Sequence, residues 1–262
     1  MARLRERPVL LYHQIGDYPP ARPDFAVGAA AFAAHLKYLS EMGLEVLALD
    51  RMLAQMKGEA PWNPAAVSLT FDGGFRDAAE TVLPLLAEGG MPAAFFIPAD
   101  FVGKKHGLYG GPLPCMDWPQ LRELAAAGMT IASLGRRGEM LRQLPGDAWQ
   151  EDARAARQTL EDALGAPVRW HAYRQGFPDR RQRAWFVEQG FEAVFTQCPT
   201  FRRPDPYRIG RVQVDDEDVN ILRTKASNLY LFFKDTRTWR FIRRYRVDRL
   251  MHRVYAFFER SG

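Results

Sequence analysis

Ser68-Leu-Thr-Phe-Asp72-Gly-Gly74 is the stretch that decides the fold. With Val67 it sets the apolar Val67, Leu69 and Phe71 against the small polar Ser68 and Thr70, and it stops at an acidic residue and two glycines. Taken together, the chain's β-rich runs are apolar on both faces more often than they alternate, as strands of a parallel sheet covered by helices are, because neither face meets water. A polar residue at the C-terminal end of such a strand sits where barrels of alternating strands and helices carry their chemistry.

Working outward, the same pattern recurs. Val9–His13, Glu45–Ala48, Val67–Phe71, Ala93–Ile97, Thr130–Ser133, Val168–Tyr173, Ala193–Thr196 and Arg208–Val214 are predicted strands. Between them, Ala29–Met42 spaces Phe32, Leu36 and Leu39 as one helical face, and Trp118–Ala127 does so with Leu121, Leu124 and Ala125. Asp117 is placed to cap the second of these, and Trp118 reads as core. Asp147–Leu164 and Asp179–Gln189 are helices that stop at Gly165 and Gly190. Pro84 predicts a kinked or late-starting helix after Phe75. Gly103–Pro114, rich in glycine and proline, is expected as an exposed loop. Alternating strands and helices imply right-handed βαβ units, and their number predicts a distorted (β/α) barrel of seven or eight strands. The barrel is assigned to residues 1–215, and a C-terminal helical extension to 216–262.

The 262 residues are 47% hydrophobic, enough for a buried core, which excludes a disordered chain. No run is long and apolar enough for a transmembrane helix, and Val9–Tyr12 is too short for a signal-peptide core. The default expectation is the cytoplasm, with association at the inner membrane face left open. Cys115 and Cys198 are expected as two buried thiols, a disulfide being the alternative. No Cys/His cluster has structural-zinc spacing. The net charge of +5 is concentrated at the end of the chain, where eight arginines between Arg237 and Arg260 face only Asp248 and Glu259. That distribution points to a local anionic partner at the tail and away from nucleic acid.

Several segments, in order, resemble one family. They are Pro8-Val-Leu-Leu-Tyr-His13-Gln-Ile15, Phe32–Leu39 with Gly43–Val46, Ser68–Gly74, Asp117–Ser133, Leu160–Glu161, Gly165–Val168, Ala172–Tyr173 and Gly190–Val194. Across residues 8–214 the chain resembles the polysaccharide deacetylases. These are carbohydrate esterases that remove N- or O-acetyl groups from chitin-like, peptidoglycan and exopolysaccharide chains. The resemblance implies a general base at the first Asp of Thr-Phe-Asp-Asp-Gly. It also implies a divalent metal held by the second Asp and by two histidines four residues apart. Such a metal polarises the acetyl carbonyl and acidifies a bound water, whose proton the base removes.

The sequence departs at every metal position. Asp72 stands at the base position, but Gly73 replaces the metal-binding Asp, and Leu134 and Gly138 stand where the two histidines would be. Arg174 replaces a proline of the family's Ala-Tyr-Pro-x-Gly segment, and a late Leu-x-His acid motif has no counterpart. Asp72 is therefore read either as a vestigial base or as a turn or helix-capping residue. His13, Ser133, His171, Tyr173 and Arg174 are the candidate pocket, with His13, His171 and Asp72 as a conceivable substitute metal site. Arg136, Arg137 and Arg174 would suit an anionic sugar or be solvated surface arginines. The expectation is no metal and no cofactor.

In the tail, Trp239, Ile242, Leu250, Val254 and Phe257 recur at helical spacing among the arginines. A basic amphipathic helix over 236–259 is expected, packed on the barrel or a protein partner, or lying on an anionic membrane. Three functional readings follow. The first is a catalytically degenerate relative that binds carbohydrate or a partner in bacterial surface-polysaccharide metabolism. The others are a hydrolase with a rebuilt or metal-free site, and a membrane-surface scaffold.

Overall fold

The computed structural model describes residues 7–16, 25–107, 112–140, 143–176, 178–197, 205–215 and 218–226. The expected tail helix over 236–259 and Cys198 lie outside the described residues. Eight short strands build the main sheet. They are β1 (Val9–Tyr12), β2 (Ala66–Asp72), β3 (Ala94–Ile97), β4 (Thr130–Ser133), β5 (Trp170–Tyr173), β6 (Ala193–Thr196), β7 (Ile209–Gly210) and β8 (Val212–Gln213). Their order is β7-β6-β5-β4-β3-β2-β1-β8, and every pairing is parallel. A further strand, Glu45–Val46, pairs with the start of β2.

The predicted strand Arg208–Val214 is two strands with Arg211 between them. β7 pairs with β6, whereas β8 pairs with β1. The Arg211 amide donates to Thr196 O at 3.0 Å and the Val214 amide to Leu11 O at 2.8 Å. One extended segment thus joins the first strand to the last β-α unit, and the barrel closes at Arg211.

Successive side chains of a strand point to opposite faces, which sorts the sheet into an inside and an outside. Val9, Ala66, Ala94, Phe96, Ala132, Trp170, Ala172, Phe195 and Ile209 fill the interior. Leu49, Met52, Leu53 and Met56 of helix α2 (Leu49–Lys57) join them. Leu10, Tyr12, Val67, Leu69, Phe71, Phe95 and Ile131 face outward onto the helical layer.

The helical layer includes α1 (Ala29–Glu41) and α3 (Leu83–Glu88). A π-helical turn, Ala78–Val82, runs directly into α3, and Pro84 stands just past the join. Next come α4 (Trp118–Ala126), capped by a reciprocal Asp117–Gln120 box, α5 (Ala148–Leu164) and α6 (Arg180–Glu188). Helix α7 (Val219–Lys225) adds Leu222 and the following Ala226 to the outer core. No described helix is long and apolar enough to cross a membrane.

The stretch Gly103–Pro114 corrects its expectation. Lys105–His106 pairs antiparallel with Leu113–Pro114, and His106 is buried. Aromatic contacts to Phe75 and Phe101 hold it inside.

Candidate binding site at the barrel mouth

Asp72 is the last residue of β2 and continues the inward series Ala66, Ser68, Thr70. Its side chain is neither a turn nor a helix cap. Arg211 Nη1 donates to Asp72 Oδ1 at 2.6 Å and Nη2 to Oδ2 at 2.7 Å, and both side chains are 0% exposed. The guanidinium also lies 4.8 Å above the Phe96 ring. Burial pushes the Asp72 carboxyl up from its ordinary value. The Arg211 charge and hydrogen bonds from Arg211 and Gln197 pull it back. A planar fork with two short bonds is the geometry of an ionised carboxylate.

His13, Gln197 and Arg174 complete the described mouth, each following the last inward residue of its strand by two positions or fewer. Gln197 Nε2 lies 3.0 Å from His13 Nε2. Burial holds His13 far below its ordinary value, at about 3, and the charges of Arg211 and Arg174 add to the effect. The imidazole is neutral at physiological pH. Arg174 also helps depress His106, to about 4, after burial.

The expected five-residue pocket divides across the barrel wall. Ser133, His171 and Tyr173 take the outward register. His171 Nδ1 sits 3.2 Å from Ser133 Oγ, which accepts the Gly135 amide at 3.1 Å. The His171 ring packs on Tyr173, Phe186 and Phe191 under helices α5 and α6. Burial alone lowers His171 to about 3. His171 Nε2 and Tyr173 Oη have no hydrogen-bond partner among the described residues. His13 and His171 therefore face opposite sides of the sheet, and the substitute metal site drawn from them is not assembled.

Arg136 is also away from the mouth's polar set. It pairs with Asp100 at 3.2 Å, and its backbone amide donates to Asp152 at 2.9 Å. Arg211 and Gln197 are the mouth residues that spacing alone missed. A lone arginine inside the run Ile209–Val214, on the inward register, was the available signal.

The family's metal does not fit the positions that would hold it. Gly73 has φ of 110°, in the region side-chain-bearing residues avoid. A Cβ placed there would lie 2.5 Å from Phe75 Cε2. Phe75 is packed edge-on against His106, with ring centroids 5.6 Å apart, and the space is closed. Leu134 is buried in the barrel interior, and Gly138 has φ of 67°. Among the described residues no three His, Cys, Asp or Glu side chains gather as a metal group.

Residues 60–194 match the family model described as polysaccharide deacetylase, just over half of the chain. The chain belongs to the polysaccharide deacetylase family. It is 29% identical over 126 residues to YxkH of Bacillus subtilis (strain 168), named for the same family. That match covers 48% of this chain and 41% of YxkH, so well under two thirds of the relative is spanned. Among solved structures, IcaB from Ammonifex degensii is similar with a TM-score of 0.73 and 26% identity, over 86% of this chain and 99% of that one. The Streptococcus pyogenes deacetylase PplD, in complex with acetate, has a TM-score of 0.72 at 16% identity, over 84% of this chain and 98% of PplD. At that identity the likeness is one of fold.

Proposed function

We propose that this barrel is a degenerate member of its family. In this reading it binds a carbohydrate or partner ligand at its mouth in bacterial surface-polysaccharide metabolism and does not deacetylate it by the family's metal route. The observation that carries the reading is Phe75, whose ring fills the space a metal-binding side chain at position 73 would need. The Asp72–Arg211 fork supports it, since both carboxylate oxygens are engaged by the guanidinium and neither is exposed to a proton donor at the mouth. Losing metal activation removes several kcal/mol of transition-state stabilisation. Each ~1.4 kcal/mol is tenfold in rate, so a tethered carboxylate is a poor substitute.

The test combines metal analysis of the purified chain with acetate release from N-acetylated oligosaccharides, alongside calorimetric binding of the same oligosaccharides. Binding without turnover is expected. Turnover lost in Asp72→Asn would establish instead a hydrolase with a rebuilt site, the alternative that the shared placement of Asp72 and His13 at one mouth favours.

A further inference from the structure

Gln197 lies two residues past Phe195 on the inward register of β6, and its amide reaches two polar groups of the mouth. Its Nε2 is 3.0 Å from His13 Nε2, and its side chain also hydrogen-bonds the Asp72 carboxylate. An ionised carboxylate only accepts, so Gln197 must turn its NH2 group toward Asp72. That fixes an amide orientation which the heavy-atom outline alone would leave ambiguous. The second hydrogen of the same nitrogen then points to His13, whose Nε2 must accept it. A ring nitrogen that accepts carries no proton, so the imidazole is neutral with its hydrogen on Nδ1. A primary amide neither gains nor loses a proton under ordinary conditions and cannot relay one between its two neighbours.

We infer that Gln197 fixes His13 as the neutral Nδ1–H tautomer and insulates it from Asp72, so that the two groups do not work as an acid–base pair when a glycan binds at the mouth. This rests on the mouth being a binding site, but it describes the protein before any ligand arrives. Every charge the described structure places near the ring is consistent with it. Arg211 and Arg174 oppose a second proton, and the one carboxylate, Asp72, is already engaged by Arg211. An acid–base pair would need either a direct contact or a titratable bridge, and position 197 supplies neither.

The test is a long-range proton–nitrogen correlation spectrum of the imidazoles in the full-length protein, recorded between about pH 5 and 8, where an ordinary histidine titrates. The His13 signals are assigned by their loss in His13→Gln. The expected result is an Nε2 resonance at the unprotonated position and a protonated Nδ1 throughout. A protonated Nε2, or conversion to imidazolium within that window, would overturn the inference. Gln197→Glu replaces the donor with an acceptor and should move the proton to Nε2 and raise the ring's proton affinity at least tenfold. Gln197→Met keeps the size without the amide and should leave the two tautomers exchanging. A single Nδ1–H tautomer persisting in Gln197→Met would also defeat the inference, since something else would then set it. The readout needs no ligand and no turnover. Acetate release would therefore sink the binding-only reading while leaving the tautomer result to stand or fall by itself.

Discussion

Asp72 and Arg211 are 139 positions apart in sequence and share two hydrogen bonds of 2.6 and 2.7 Å inside the barrel. The arginine interrupts the strand that completes the ring, and the aspartate ends the strand whose sequence announces the fold. Desolvating either charge costs several kcal/mol, which only the partner and its added hydrogen bonds offset. The pair therefore behaves as a unit, and removing half of it exposes the full penalty of the other half.

Arg211→Met should destabilise the fold by about 3–5 kcal/mol, because it leaves Asp72 charged and buried with no counter-ion. Asp72→Leu with Arg211→Met should recover most of that loss, since an apolar pair of similar volume pays no desolvation. Urea unfolding of both single variants and the double variant measures the coupling. Simple additivity would show that the fork contributes little.

Gly73→Asp should not install a metal ligand. The backbone conformation disfavours it by about 1–3 kcal/mol, and displacing the Phe75 ring adds an overpacking cost of about 1–3 kcal/mol. A lower Tm with no gain in bound zinc is the expected outcome. Adding Phe75→Ala should relieve the overpacking part alone, which thermal melts of the double variant would reveal.

Asp77 gives stability a pH dependence. Its carboxylate accepts the Ile15 amide, and burial raises it to about 7, against weaker lowering by hydrogen bonds from the backbone. The folded state therefore holds a proton that the unfolded chain releases near the ordinary value of 3.8. This contribution is complete below the unfolded value and fades as pH climbs through the folded one, at up to ~1.4 kcal/mol per pH unit. Asp77→Asn should remove this falling component between about pH 4 and 7, so that stability rises more steeply with pH than in the parent, and it should be the more stable protein above that window. An unchanged slope would show that Asp77 does not titrate as its burial implies.

The acid side should be governed by histidines with the opposite sign. His13 and His171, both depressed to about 3, contribute stability above their unfolded value of 6.5 that is lost as pH falls through the folded values. His171→Phe should remove part of this acid sensitivity without shifting the His13 resonances, because the barrel wall separates the two rings. A displaced His13 signal would show that the faces communicate.

The barrel was legible in the sequence because its strands are apolar, bounded by glycines and spaced by helices with clear faces. Asp117 could be read as a cap, and Gly165 as a stop, because local chemistry alone decides both. What sequence could not provide was the register at the strand ends. A shift of one residue exchanges mouth for wall, and this is why Ser133, His171 and Tyr173 looked like partners of His13. Nor could it pair Asp72 with Arg211, since that contact exists only after the sheet has curled round to its starting strand.

The split between β7 and β8 has a consequence for any shortened form of this protein. A chain ending before Ile209 would keep most of its helices and nearly all of its inner core. It would nonetheless present β1 and β6 as two raw sheet borders, each a ready template for another copy. Such a fragment should be lost to self-association well before it loses its secondary structure. The workable cut points for expression therefore lie beyond Val214.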